Sequence, residues 1–245
     1  MNEQRRVFIA GASGAVGRRL CLLLVAEGHA VTGMTRSPDK VPMLHALGVQ
    51  PVVADVFDEA ALNDALLDAR PQVVIHQLTE LPPALAAEEM AGARVRTARI
   101  REIGTRNLIA AAVAAGAGRM IAQSVAFAYA PGRPPYDEAA PLNLDDPAFS
   151  VTARGVASLE QQVIEAPLTG IVLRYGKFYG PGTGFDQPPA GGPLYVDDAA
   201  HAACLAIERG ERGIYNIAED AGTVSSRKAM AHLGWAPGFR LPDLA

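Results

Sequence analysis

Near the start of the chain, Gly11-Ala12-Ser13-Gly14-Ala15-Val16-Gly17 separates a short apolar run, Val7 to Ala10, from a stretch with apolar residues at helical spacing, Arg18 to Glu27. Glycines at this spacing between a strand and a helix are the strongest constraint in the sequence. They permit a tight turn, a close approach of backbone to a diphosphate, and contact between helix and sheet, while free N–H groups and the helix dipole favour an anion. The expected ligand surface here is Gly11, Ser13, Gly14, Ala15, Val16 and Gly17.

The rest of the chain repeats the strand–helix alternation. Strands are predicted at 30–34, 49–54, 73–75, 119–123, 170–173 and 215–217. After a loop at Ser37 and Pro38 a short helix is predicted to Leu47, and further helices over 58–69, from Ala84 to Ala115 as one helix or two, and over 152–165, 197–209 and 225–233. Such alternation specifies an α/β fold, a doubly wound parallel sheet (Rossmann) with a small, reduced C-terminal substrate-binding part. Residues 1–165 read as the dinucleotide-binding region and 166–245 as the substrate side, forming one compact unit with the first. Proline, glycine and acidic residues dominate 130–147, which reads as a loop over the strand ends, where substrates are met.

The end of the second strand, Thr35-Arg36-Ser37, has no acidic residue to hold a ribose hydroxyl. Arg36 there suits the 2′-phosphate of NADP, with NAD as the alternative cofactor. Asp55, after the third strand, is positioned either to accept from an adenine amino group or to cap a helix.

Composition narrows the partners. A net charge of -4 and a pI near 5.7 give no basic field for nucleic acid, so small molecules are the expected partners. No run approaches the ~20 apolar residues that span a bilayer, and the polar start from Met1 to Arg6 is unlike a secretory leader, so a cytoplasmic location is expected. Cys21 and Cys204 read as buried thiols on apolar helix faces, and the five histidines show no metal-ligand spacing.

Several motifs in order resemble the extended short-chain dehydrogenase/reductase family, the NAD-dependent epimerase/dehydratase group. Beyond the glycine cradle, Ala54-Asp55-Val56 is similar to its adenine-contacting turn. Val74-Ile75-His76-Gln77-Leu78 is similar to the strand that passes the ribose, and Gly104-Thr105-Arg106-Asn107-Leu108 to its long active-site helix. Gln123-Ser124-Val125-Ala126 with Tyr129 resembles the segment of the catalytic serine or threonine. Two more landmarks are Leu173-Arg174-Tyr175-Gly176-Lys177-Phe178-Tyr179-Gly180-Pro181-Gly182 and Tyr195-Val196-Asp197-Asp198-Ala199. The resemblance implies cofactor contacts at Val56, Gln77, Leu78, Tyr175 and Gly176, and a homodimer through the long helices 84–115 and 152–165.

The departure falls on the chemistry. Where the family carries a tyrosine and, four residues later, a lysine, this chain has Thr152 and Val156, and none of its six tyrosines is followed at that spacing by lysine. Threonine has no usable acidity and valine carries no charge. The segments 184–193 and 223–225 are shorter than in sugar-nucleotide members, and Lys177 stands where the family often has asparagine. Ser124 as hydrogen-bond donor, with Tyr129 or Lys177 as proton source, are the remaining catalytic candidates. The expected function is hydride transfer between a nicotinamide and a small carbonyl or imine compound. The alternatives are a dinucleotide-binding sensor without turnover and an NAD-dependent epimerase.

Overall fold

The computed structural model describes residues 3–82, 86, 88–219 and 222–242. Seven parallel strands form one sheet: β1 (Arg6–Ala10), β2 (Ala30–Thr35), β3 (Gln50–Val53), β4 (Val73–His76), β5 (Arg119–Val125), β6 (Thr169–Tyr175) and β9 (Gly213–Ile217), in the order β3-β2-β1-β4-β5-β6-β9. The sheet is buried on both faces, which is why β1, β4 and β6 read as nearly unbroken apolar runs rather than alternating ones.

Helices α1 (Ala15–Ala26), α2 (Val41–Ala46), α7 (Val196–Leu205) and α8 (Arg227–Leu233) cover one face, burying Leu20, Leu24, Leu44, Ala203 and Leu233 against Ile9, Ile75 and Ile171. The other face takes α3 (Glu59–Ala69), α5 (Thr105–Ala114) and α6 (Ser150–Glu165), with Leu62, Leu66, Leu108 and Leu159 on Phe8, Val74 and Val172. Two such layers around one sheet are the doubly wound arrangement that the sequence pattern specifies. β6 and β9 extend the same sheet, so the C-terminal residues share its core.

The long helical stretch is two α-helices, α4 (Met90–Arg99) and α5, joined by a π-helical turn over Ile100–Gly104. Its expected start at Ala84 lies outside the described residues. Gly104 lets this turn lie close to Val56: a Cβ there would stand 2.9 Å from Val56 Cγ1. A small parallel pair, β7 (Lys177–Tyr179) with β8 (Pro193–Tyr195), stands apart from the main sheet and is not among the strands expected from the sequence. β5 runs two residues further than its apolar run suggests, so Ser124 lies within the strand, paired with Arg174, rather than after it. Asp58, not Asp55, caps α3 by accepting from Ala61 N–H at 3.1 Å.

Candidate active site

The sheet order changes direction between β1 and β4, and that is where the glycine turn sits. Gly11 has φ +94°, a conformation that disfavours side chains, and a Cβ there would stand 2.8 Å from the Gln77 carbonyl. At Gly17 a Cβ would collide with the Gly11 carbonyl oxygen, so this glycine lets α1 lie against the strand end. Gly14 differs: its added Cβ would meet only the Gly11 oxygen, at 3.4 Å, and otherwise face open space. Gly14 is the N-cap of α1 and offers no side-chain cap, and the Ala15 and Val16 N–H groups have no acceptor among the described residues. Those free donors at a helix start fit a diphosphate.

A cleft of about 210 Å³ runs from this turn over the ends of β1 to β4. Of the residues expected to bind cofactor, it brings together Gly11, Ser13, Gly14, Arg36, Asp55, Val56, Gln77 and Leu78. Its wall at Val56 is held from below, where Asn107 Nδ2 donates to the Val56 carbonyl at 3.1 Å. Asp55 Oδ1 accepts from Phe57 N–H at 2.9 Å, which tightens the same turn.

Lys40 also lines the cleft, giving it a second cation, which sequence reasoning missed. Its signal is the spacing Arg36…Lys40, which one turn of 3₁₀-helix over Pro38–Lys40 folds back toward the strand end. Arg36 Nη1 pairs with Glu80 Oε2 at 3.0 Å and Glu80 Oε1 with Arg96 Nε at 2.9 Å. The hydrogen bond to Arg36 holds the Glu80 carboxyl below its ordinary range and raises the arginine.

Other expected contacts lie elsewhere. Tyr175 is fully buried, its hydroxyl donating to the Ala199 carbonyl at 3.1 Å and accepting from Gln77 Nε2 at 3.4 Å. Gly176 is pressed against the Gly192 carbonyl, where a Cβ would collide. Neither lines the cleft.

At the other end, over β5 and β6, the polar groups are committed to one another. Ser124 is fully buried and its hydroxyl donates to Glu160 Oε1 at 2.7 Å. Arg174 grips the same carboxylate with Nε at 2.8 Å and Nη2 at 2.6 Å, and its Nη1 donates to the Tyr129 hydroxyl at 3.0 Å. The Tyr129 hydroxyl in turn donates to Asn216 Oδ1 at 2.5 Å, while its ring stacks on Tyr136 at 5.2 Å. Burial raises the Tyr129 pKa despite Arg174. A phenol so held is a poor acid.

Lys177 joins neither group; it is exposed and its Nζ donates to the Ala190 carbonyl at 2.8 Å. Val156 packs in a buried cluster with Val125 and Ala128, bordered by Leu142 and Phe149, so core occupies the place on α6 that corresponds to the family's lysine. Glu160 and Arg174 were missed as site charges. Each is a lone charge in an otherwise apolar buried row, Ala153-Val156-Leu159-Val163 on α6 and Ile171 to Tyr175 on β6, and two such charges of opposite sign signal a pair.

Cys21 and Cys204 are both buried, and burial pushes the Cys21 thiol up to about 12. Among the described residues no cluster of His, Cys, Asp and Glu could hold a metal, and no helix is long and apolar enough to cross a membrane.

Comparison with known proteins agrees with this geometry. A family model described as NAD(P)H-binding matches residues 11–178. The 3-diazoavenalumate denitrifying reductase of a Streptomyces species is 42% identical over 237 residues, which cover 88% of this chain and 76% of that protein. A 4-hydroxy-2-methyl-3-oxo-4-farnesyl-3,4-dihydroquinoline-1-oxide ketoreductase of Stigmatella aurantiaca is 28% identical over 258 residues, covering 96% of this chain and 74% of that protein. Among solved structures, UDP-glucose 4-epimerase of Thermotoga maritima with UDP-glucose superposes with a TM-score of 0.76 at 20% identity, covering 94% of this chain and 93% of that one. That last likeness is one of fold.

Proposed function

The chain belongs to the NAD(P)H-binding family as an NAD(P)-dependent oxidoreductase of the extended short-chain dehydrogenase/reductase group, and we propose that it uses NADPH to reduce a small electron-poor acceptor, first of all a diazo or diazonium acid. The observation that carries this reading is the commitment of Ser124 and Tyr129, the hydroxyls expected to act on a substrate, to other groups of the protein. Ser124 is bonded to Glu160 and Tyr129 to Arg174 and Asn216, and Val156, where the family's lysine would stand, is packed in core with Val125 and Ala128.

Bound NADPH supplies a hydride from its nicotinamide. Adding hydride to a carbonyl builds negative charge on oxygen, which needs a positioned donor and then a proton. An aryl diazonium ion needs neither. The hydride bonds to its terminal nitrogen and cancels its positive charge, giving Ar–N=N–H; that neutral product breaks into Ar–H and N2, so atoms and charge balance without an acid.

The chain's own residues then bind and orient. Gly11 to Gly17 hold the diphosphate, Arg36 and Lys40 the 2′-phosphate that distinguishes NADPH from NADH, and Asp55, Val56, Gln77 and Leu78 the adenosine. Residues 166–245 supply the substrate wall. The same reading keeps the protein in the cytoplasm and makes a homodimer the assembly to test, supported by the exposed Val95 and Val151 on α4 and α6.

A second reading, reduction of a carbonyl or imine, is favoured by the likeness to a ketoreductase. It assigns the hydrogen bond to Ser124 and the proton to Tyr129 or Lys177, each of which must first leave its present partner. The two readings separate when NADPH consumption is measured with aryl diazonium acids and with aryl ketones and imines of the same skeleton. Consumption matched by denitrified product supports the first; consumption with the carbonyl series alone overturns it. Cofactor binding without consumption in either series would leave a sensor.

A further inference from the structure

The cation that the sequence offers for a 2′-phosphate already holds a carboxylate. Arg36 lines the dinucleotide cleft, and its Nη1 donates to Glu80 Oε2 at 3.0 Å. Arg36 follows β2 and Glu80 lies just beyond the end of β4, and these two strands flank β1. Their ion pair therefore joins the loops on either side of the glycine turn. Both loops line the cleft, through Arg36 and Ser37 on one side and Leu78 and Thr79 on the other.

The two partners differ in freedom. The Arg36 side chain is 57% exposed and has no second acceptor among the described residues. Glu80 is 24% exposed and is held from α4 as well: its Oε1 pairs with Arg96 Nε at 2.9 Å, and its backbone N–H donates to Thr97 Oγ1 at 3.1 Å. The arginine is the partner that can swing away, and the carboxylate stays where α4 keeps it.

A phosphate monoester brings about two negative charges and several strong acceptor oxygens. If it joined Arg36 with Glu80 still attached, dianion and carboxylate would crowd one guanidinium, and like charges so close repel. Lys40 is no unpaired reserve, because its Nζ lies 3.5 Å from Asp39 Oδ2. Releasing Glu80 costs less, since Arg96 still compensates it.

We propose that Glu80 competes with the 2′-phosphate for Arg36. NADPH then binds by exchanging an internal carboxylate for its own phosphate, whereas NADH, with a hydroxyl in that place, leaves the Arg36–Glu80 pair intact. This rests on the reading of Arg36 as the ligand of the 2′-phosphate. Glu80 is a specificity-determining residue that moderates the preference for NADPH, and Arg96, outside the cleft, sets how readily it yields.

The test is calorimetric titration of NADPH and NADH into wild type, Glu80→Gln, Arg36→Ala and the double variant. Glu80→Gln should tighten NADPH about fivefold, the scale of a partly exposed ion pair, and change NADH by less than about twofold. That gain should disappear in the Arg36→Ala background, where there is nothing to compete for. Arg96→Met should weaken NADPH while Glu80 is present and have no effect in Glu80→Gln. NADPH affinity unchanged in Glu80→Gln overturns the proposal, and so does a lowered one, which would make Glu80 a support that holds Arg36 in place. A gain that persists without Arg36 overturns it too, by reducing the effect to bulk charge. If NADPH and NADH bind wild type equally and Arg36→Ala changes neither, the reading of Arg36 falls and the exchange with it. A preference for NADPH that is lost in Arg36→Ala but unmoved by Glu80→Gln removes the exchange alone.

Discussion

The two ends of the cleft are built on opposite plans. At the dinucleotide end, backbone N–H groups and the Gly14 surface are left open, and Arg36 and Lys40 line the cleft while paired with Glu80 and Asp39. At the reacting end, Ser124, Glu160, Arg174, Tyr129 and Asn216 close on one another. One end is organised to receive a polar ligand and the other to exclude unsatisfied polar groups. Binding and proton transfer are therefore separable properties of this fold, and the molecule retains the first without the usual means for the second.

The sharpest way to break the comparison is through the glycines. Gly14→Val should reduce cofactor affinity at least about a hundredfold while the chain stays folded, because the new side chain enters the ligand's space. Gly17→Val should instead fail to fold or unfold at low denaturant, its Cβ meeting the Gly11 carbonyl. Cofactor titration paired with urea melts checks both, and a folded Gly14→Val with wild-type affinity would remove the cradle from the account.

At the closed end, Arg174→Met should cost about 3–5 kcal/mol of stability by stranding the Glu160 carboxylate. Ser124→Ala should cost less, about 1–3 kcal/mol, and leave turnover largely intact. If chemical denaturation shows no stability loss in Ser124→Ala and turnover falls a hundredfold, the serine is a substrate donor and the end is open after all.

His76 stands between the two ends. Its folded pKa near 4 lies below the ordinary 6.5, so the unfolded chain takes up the proton first as pH falls. The stability from keeping it neutral is complete above pH 6.5 and is lost toward pH 4, about 3 kcal/mol in all. His76→Gln should flatten that part of the stability profile; an unchanged slope would mean the ring is not the titrating group.

Arg36→Ala should weaken NADPH by about 1–3 kcal/mol and leave NADH almost unaffected, since the 2′-phosphate is the difference. Equal loss for both cofactors would move Arg36 off that phosphate. The smallest effects belong to Thr152→Val and Lys177→Met, within about 0.5 kcal/mol in stability and with little change in steady-state turnover. A large loss of turnover in Lys177→Met would favour the carbonyl reading.

How legible each end was follows from the physics that makes it. The cradle depends on local backbone shape, so Gly11, Gly14 and Gly17 announce it in adjacent positions, and alternating apolar runs announce the sheet. The closed end depends on partners far apart in the chain: Ser124, Glu160 and Arg174 meet only because β5, α6 and β6 are neighbours. Ser124 looked like a residue beyond a strand because Gln123, a polar residue inside β5, ended the apolar run early. The π turn left no periodic trace at all, since a single extra residue shifts the register without changing composition.

The parallel order of the sheet also sets a timetable for synthesis. β1 emerges first, yet it pairs with β2 through Val7 and Val31 and with β4 through Val7 and Val73. The first wall of the nucleotide turn is complete when Met34 appears, whose carbonyl takes the Gly11 and Ala12 N–H groups; the second waits for Gln77, whose N–H reaches the Ala10 carbonyl. Until then the growing chain has no finished nucleotide site, and Phe8, Ile9 and Met34 must be kept from other apolar surfaces by local helices alone. A nucleotide can therefore select folded nascent chains only after Gln77 has cleared the ribosome.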